Sequence, residues 1–341
     1  MTRFTDEELE DQLSEPTTAV VECLRKIDGD LMVLGAGGKM GPSLCHMARR
    51  AADLAGSRRR VIAVSRFRDD NAAAQLEHWG IDILRGDLLD RAFVGTLPQC
   101  PLVVSMSGQK FGTSGAAART WATNVYLPAI VCEHFSASRF VAFSSGNVYG
   151  LVSVERGGGS NETDPLRPVG EYAMSAVGRE RMYEHFSREN GTPMTIIRLN
   201  YAVELRYGVL VDLARKVFER QPVNVEMGYA NVIWQADANA MALASFALAA
   251  SPPFVLNVTG PELLRCREVA ARFGELFGVP VTIEGTEAPS ALLNDASQAF
   301  RLFGQPRVPV DELMPWIAEW IQQGGTHWGK PTHYESRDGQ F

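Results

Sequence analysis

No apolar run in the 341 residues approaches the roughly 18–20 residues needed to span a bilayer. No basic block extends beyond Arg58-Arg59-Arg60, and the net charge is −7, which argues against a nucleic-acid binder. Three adjacent arginines read as a solvated loop. The five cysteines (Cys23, Cys45, Cys100, Cys132 and Cys266) contain no Cys-x-x-Cys pair. They read as buried thiols in a reducing compartment, and a cytoplasmic location is expected. The six histidines show no metal-ligand spacing with cysteine or acidic residues, so no metal site is expected. The acidic start, Thr5-Asp6-Glu7-Glu8-Leu9-Glu10, is unlike a signal or transit peptide. There is no internal repeat and no low-complexity tract. Lysine is scarce: Lys26, Lys39, Lys110, Lys216 and Lys330 are the whole set.

What is present is ordinary globular material, 45% hydrophobic and 21% charged, enough for one large or two modest domains. The stretch that organises it is Leu31-Met32-Val33-Leu34-Gly35-Ala36-Gly37-Gly38-Lys39-Met40-Gly41. Leu31 to Leu34 is an apolar run suited to a strand buried on both faces. Four glycines follow within seven residues, and then a helical pattern places Leu44, Met47, Ala48 and Ala51 on one face. Strand, glycine turn and helix make a dinucleotide-binding unit. The glycines allow a tight turn and close approach of the pyrophosphate, and the helix start offers N–H groups and the positive end of its dipole. Gly35, Gly38, Lys39, Met40 and Gly41 are therefore candidate cofactor contacts.

Further along, strands expected at 60–65, 81–85, 102–106, 139–143 and 194–198 alternate with helices at 116–135 and 171–189. That rhythm predicts an α/β fold with a doubly wound parallel sheet, its ligands at the carboxyl ends of the strands. Gly35, Ser65, Asp87, Met106 and Ser145 all fall there. Residues 1–28 read as a helical N-terminal extension, with Thr5 capping and Glu8 three residues on. After Asn200 the rhythm loosens. Helices are expected at 209–219, 236–250, 268–277 and 310–322, with strands at 254–258 and 281–283. A polar tail covers 326–341.

With these residues in place, the chain resembles the extended short-chain dehydrogenase/reductases, the NAD-dependent epimerase/dehydratase family. Four features in order carry the resemblance. They are the Gly35/Gly38/Gly41 loop, Gly86-Asp87-Leu88 after the third strand, Ser144-Ser145-Gly146-Asn147-Val148-Tyr149-Gly150, and Tyr172 opening a helix. The resemblance implies a Rossmann-type domain over 29–200, with 229–260 returning to it, and a smaller C-terminal α/β substrate domain from 201–228 and 261–325. It also implies a homodimer through the helices at 116–135 and 171–189. The implied chemistry is hydride transfer between nicotinamide C4 and a carbinol or carbonyl carbon. Tyr172 matches the tyrosine that moves the hydroxyl proton, and Ser145 the serine that hydrogen-bonds the same oxygen.

The family pattern then calls for lysine four residues after the tyrosine, where this chain has Ala176. A free tyrosine has a pKa near ~10, and each pKa unit is worth about 1.4 kcal/mol, so losing two or three units would cost about 3–4 kcal/mol unless another cation compensates. Lys110, after the fourth strand, is the candidate taken here as part of the catalytic set. Arg179, seven residues after Tyr172, is the other, with a solvated or dimer-interface arginine as its ordinary reading.

At the end of the second strand, where NAD-preferring members carry an acidic residue, stand Ser65 and Arg66, with Arg68 beyond. Serine plus arginine suits a 2′-phosphate, so NADP is the expected cofactor, with NAD as the alternative. Asp87, with Leu88, matches the adenine contact. Asn147, Asn200, Arg206, Tyr207 and Trp234 are pocket candidates by position. Arg206 either pairs with a substrate carboxylate or phosphate through its planar fork or is a surface arginine. His327, Lys330 and His333 either close over a site or belong to a solvated tail. Two functions stay open. One is an NAD(P)-dependent oxidoreductase or epimerase acting on a polyhydroxylated carbonyl compound such as a sugar, sugar acid or nucleotide sugar. The other is a catalytically inactive cofactor-binding sensor of the same fold. Neither needs a nucleic-acid or membrane partner.

Overall fold

The structure, a computed structural model, describes residues 5–110, 112 and 115–340. Among the described residues, seven strands form the central sheet. They are β1 Leu31–Leu34, β2 Val61–Ser65, β3 Asp82–Arg85, β4 Leu102–Ser105, β5 Arg139–Ser145, β6 Met194–Leu199 and β7 Phe254–Val258. They lie in the order β7-β6-β5-β4-β1-β2-β3, every neighbouring pair parallel. Successive strands run outward from β1 in one direction as far as β3, and from β4 in the other. The strand order therefore reverses between β1 and β4, and a crevice opens beyond their carboxyl ends. Alternating side chains fill two cores. Leu31, Val33, Ala63 and Val104 point to one face, and Met32, Leu34, Ile62 and Val103 to the other. This is the doubly wound Rossmann-type α/β sheet that the alternation of elements predicts.

The N-terminal helices Asp6–Leu13 and Thr18–Lys26 bury Leu9, Leu13, Val20 and Leu24 against the helices Gly41–Leu54 and Gln235–Ala244. Thr5 and Glu8 form the capping box that their spacing predicts. Of the arginine triplet, Arg58 and Arg60 are exposed as a solvated loop would have them, but the middle one is not. Arg59 is buried, and its guanidinium donates to the carbonyls of Leu24 and Ile27 at the end of the second helix, at 2.5 and 2.6 Å. Carbonyls left unpaired at a helix C-terminus are what such a cation satisfies.

The helix expected over 116–135 is interrupted. It runs as Ala117–Trp121, a π-helical turn Ala122–Tyr126, and Leu127–His134. Pro128 is the local reason. It has no N–H to give the carbonyl four residues back, that of Asn124. The Nε of Arg179 takes that carbonyl instead, at 3.4 Å. The helix with Tyr172 runs Gly170–Asn190, and the late strand expected at 281–283 is only Ile283–Glu284, paired with Val223–Asn224.

The tail is not simply solvated. Thr332 and Tyr334 are buried, and the segment is tied at several points. Thr332 donates through N and Oγ1 to Asp212 (2.8 and 2.6 Å), Glu335 pairs with Lys216, and Arg337 donates to the carbonyl and Oγ of Ser290 (2.7 and 2.8 Å). Gly339 packs so tightly on the backbone at Val169–Gly170 that a Cβ there would lie 2.2 Å from the Val169 oxygen. The last residues thus strap the C-terminal region to the start of the Tyr172 helix.

Candidate active site

β1 delivers the glycine loop to the crevice. Gly35 has φ +85°, and a Cβ on it would lie 2.7 Å from Ser107 Oγ just past β4. A Cβ on Gly41 would sit 2.2 Å from the Ala36 carbonyl, so the helix Gly41–Leu54 can start this close to β1 only with glycine. Met40, at the cap position, has no side-chain oxygen for the helix N–H groups, leaving the dipole's positive end to face the crevice. The loop therefore fits a dinucleotide pyrophosphate.

Two cavities meet at this loop and share Gly35, Gly38, Met106 and Gly108. The smaller, about 220 Å³, is walled by Gly37, Ser65, Arg66, Gly86, Asp87 and Leu88. This gathers the expected adenine-side residues around one space. Arg66 and Asp87 are both about half exposed and 3.9 Å apart.

The larger cavity, about 490 Å³, brings together Lys39, Met40, Gly41, Lys110, Ser145, Asn147, Tyr172, Asn200 and Tyr207. The Ser144-Ser145 pair divides its work. Ser144 also lines the cavity, but its hydroxyl donates to buried Glu180 at 2.6 Å, which in turn pairs with Arg198 at 2.8 Å. Ser145 Oγ donates to Asn147 Oδ1 at 3.0 Å and accepts from Asn147 N at 3.2 Å. Tyr149 is a framework residue: its hydroxyl accepts from Arg198 (2.7 Å) and donates to Asn257 on β7 (2.8 Å).

Tyr172 is 8% exposed, and its backbone is held by a chain of polar contacts. Ser175 Oγ donates to the Tyr172 carbonyl (2.8 Å) and accepts from Asn124 Nδ2 (2.9 Å). Asn124 sits in the π-helical turn, a distortion that recurs at functional sites. Its Oδ1 receives Arg179 Nη2 at 2.5 Å and Gln109 N at 2.8 Å. Arg179 is neither solvated nor free for an interface. It is buried, donates also to the Phe143 carbonyl (3.1 Å), and lines the cavity with Tyr172, so closely packed on Gly108 that a Cβ there would touch its Nη2 at 2.5 Å. Ala176 is enclosed by Val148 and Tyr149.

Two positional candidates do not reach the site. Arg206 pairs with Glu204 at 3.1 Å and with Glu10 of the first helix at 2.6 Å, under the Trp328 ring. With both carboxylates taking its donors, it locks the N-terminal helices to the C-terminal region. Trp234 is 3% exposed and meets Trp316 edge-on at 5.9 Å. It is a core residue, and the next residue, Gln235, reaches the cavity instead.

The structure also adds residues that sequence position did not single out. Tyr201 lines the cavity with φ +44°, a left-handed conformation uncommon for a tyrosine. Thr332, from the tail, is another, and Lys330, offered as either closing over a site or belonging to a solvated tail, lines the cavity as well. Lysine scarcity was the available signal, since three of the chain's five lysines line this one cavity. Burial, with Lys330 and Lys110 nearby, pushes Lys39 down to about 7, and burial pushes Lys110 down to about 8, against the pull of Asp212. His327 and His333 do not line it. Among the described residues no cluster of His, Cys, Asp and Glu is arranged to hold a metal, and no helix is long and apolar enough to cross a membrane. All five thiols are buried and unbridged.

A parallel sheet with a glycine loop at its switch point, and a serine and tyrosine facing one cavity beside it, define a dinucleotide-binding protein of the dehydrogenase/reductase class. The family model for the NAD dependent epimerase/dehydratase family matches residues 31–203, and the chain belongs to that family of enzymes. No curated protein matches the sequence. Among solved structures the chain is similar to MoeE5 in complex with UDP-glucose and NAD (21% identity, 87% of this chain and 99% of that one, TM-score 0.70). It is also similar to a UDP-glucuronic acid 4-epimerase from Bacillus cereus with NAD (17%, 86% and 99%, TM-score 0.69). A third is DesIV, a dTDP-glucose 4,6-dehydratase from Streptomyces venezuelae with NAD and TYD bound (16%, 86% and 97%, TM-score 0.74). At these identities the likeness is one of fold.

Proposed function

We propose that this protein is an NAD-dependent oxidoreductase or epimerase acting on a polyhydroxylated carbonyl compound of the sugar, sugar-acid or nucleotide-sugar kind. The observation that carries the reading is the convergence of Ser145 and Tyr172 on the cavity that begins at the glycine loop. When bound, the nicotinamide supplies a hydride acceptor that can also return the hydride. Tyr172 takes the hydroxyl proton of the substrate and gives it back, while Ser145, oriented by Asn147, hydrogen-bonds the same oxygen. Arg179 and Lys110 supply the positive field that the absent lysine would have given. Arg179 shares the Tyr172 helix and is rigidly held, while Lys110 stands across the cavity. The family's description favours NAD over the NADP that Ser65 and Arg66 suggest, and Asp87 beside Arg66 is ill suited to a 2′-phosphate. A homodimer belongs to the same reading: Trp121, Tyr126, Val169 and Met174 expose apolar surface on and beside the two helices, and sedimentation of the purified protein tests it.

The test is nicotinamide absorbance on mixing the NAD-loaded protein with sugars, sugar acids and nucleotide sugars, backed by product analysis for epimerisation without net redox. Tyr172→Phe should lower turnover by about 10²–10⁴-fold while cofactor affinity holds. Wild-type turnover in the Phe variant, or tight NAD binding with no product from any substrate class, defeats the proposal, the second outcome in favour of a sensor.

A further inference from the structure

The helix Gln235–Ala244 is enclosed on every side, and all ten of its residues are buried. A helix so placed is expected to be apolar all round, yet Gln235, Asp237 and Asn239 are not. Asp237 is answered by Arg307 at 2.7 Å. Gln235 and Asn239, four residues apart and so on one face, reach a single atom of the helix that starts at the glycine loop. Gln235 Nε2 and Asn239 Nδ2 each donate to Ser43 Oγ at 3.0 Å. Ser43 Oγ in turn donates to the Met40 carbonyl at 3.1 Å, which also accepts from Leu44 N at 3.0 Å. A hydroxyl has one proton and two lone pairs. With its proton given to Met40, Ser43 has room for two donors, and the two amides fill it. Asn239 is 0% exposed, and its Oδ1 has no hydrogen-bond partner among the described residues. An unpaired buried acceptor lowers stability. Leucine has nearly the same shape and no such atom, so packing does not account for the asparagine.

Resting on the reading of the site as an NAD-dependent one, we propose that Ser43, Gln235 and Asn239 form a clamp that positions the start of the helix Gly41–Leu54 for the cofactor. Met40 gives that helix no side-chain cap, so the donors offered to a pyrophosphate are backbone N–H groups. Backbone donors cannot swing toward a ligand as side chains do. Their reach is set by where the first turn sits, and the clamp fixes that turn through the Met40 carbonyl. Ser43 and Asn239 line neither cavity, so they act on the cofactor through the backbone and are positioning residues. The clamp also decides what the helix is held against. Gln235 follows Ile233–Trp234, which pairs in parallel with Ala202–Val203, and both Ala202 and Gln235 line the larger cavity. The cofactor helix is thereby set in register with a wall of the cavity that holds Ser145 and Tyr172. Residues 43 and 239 are nearly two hundred positions apart, and neither belongs to a motif.

The experiment uses the full chain, with NAD affinity measured by titration calorimetry and stability by denaturant unfolding. Asn239→Leu should weaken NAD about three- to tenfold, the worth of one intramolecular hydrogen bond. Its unfolding midpoint should hold or rise, because the unpaired acceptor leaves with the amide. In a Ser43→Ala background the same substitution should cost no further NAD affinity, since its effect runs through the Ser43 hydroxyl. Asn239→Ala carries the same expectation for NAD if leucine does not fit, and the single variant decides if Ser43→Ala does not fold. Wild-type NAD affinity in the Asn239 variant overturns the inference. So does an equal loss in both backgrounds, which would take Ser43 out of the route. A fall in the unfolding midpoint of Asn239→Leu that matches the loss of NAD affinity makes the asparagine a packing residue and overturns it too. Each of these outcomes leaves the NAD-dependent reading standing. Absence of NAD binding in the wild-type protein would remove that reading and this inference together.

Discussion

The two ends of the groove are built on different principles. The end proposed for adenine draws on Gly37, Ser65, Arg66, Asp87 and Leu88, each at or just past the end of a strand in the first three β-units. Its charges are half exposed, and Arg66 already has Asp87 near it. The end proposed for the substrate draws on residues from position 39 to position 330. Its charges are buried or strapped in, and its lining comes from widely separated segments. A dinucleotide can be held largely by backbone at strand ends. Choosing a substrate needs side chains, and side chains converge only when distant segments pack. The first end suits many members of a family, and the second makes one member particular.

This contrast can be broken at several points. Tyr334 anchors the strap while 1% exposed, and its hydroxyl has no hydrogen-bond partner among the described residues. Tyr334→Ala should cost about 3–5 kcal/mol in denaturant unfolding. Tyr334→Phe should be neutral or slightly stabilising, since only the ring is packed. If the Ala variant stays folded, turnover should fall while NAD binding persists, because the strap residues Lys330 and Thr332 line the cavity with Tyr172. Equal losses at both ends would show that the strap supports the whole groove. The converse substitution is Gly41→Ala, whose Cβ would meet the Ala36 carbonyl. It should cost about 1–3 kcal/mol of overpacking, read mainly as weaker NAD affinity. A variant that binds NAD normally would mean that the loop yields more easily than its contacts imply.

A smaller effect comes from pH. Burial depresses Lys39 to about 7 and Lys110 to about 8. The folded state binds fewer protons than the unfolded one between about 7 and the unfolded lysine value of about 10.4, so these groups add stability as pH rises across that window. NAD affinity should change little over the same range, and calorimetry at several pH values checks this. The smallest effect expected is at Arg66. Arg66→Ala should alter NAD affinity less than about threefold, as for an exposed ion pair, and a clear NADP preference lost in that variant would restore the 2′-phosphate role.

Legibility followed sequence distance. The glycine loop, Ser145 and Tyr172 lie in short patterns whose geometry is local, and the structure sets them on one cavity. Pro128 is also a local signal, and the π-helical turn that it opens, with Asn124 in it, could have been suspected from the missing N–H. Arg206 and Trp234 were placed by nearness in sequence to the site, which says nothing of side-chain direction. Glu204 and Glu10 claimed the arginine, and Trp316 the tryptophan. Arg179 looked like a surface residue because a helix pattern does not show that the neighbouring helix leaves a carbonyl open for it. Lys330 could be named only as a polar tail residue that either closes over a site or stays solvated. Its place depends on Asp212, Tyr207 and Ser290 meeting a segment that follows them in sequence by dozens of residues.

The sequence by itself determined the alternation of strands and helices, the tight turn at Gly35 and Gly41, and the serine and tyrosine that line one cavity. Backbone preferences and hydrophobic period act over a few residues, so they can be read along the chain. Only the tertiary structure decided that Ala176 is walled into an apolar cluster, that Arg179 is the buried cation beside Tyr172, and that lysines from three distant segments share one cavity. Those outcomes are set by which buried charges and carbonyls find partners once the core has closed, and no local pattern specifies the partner.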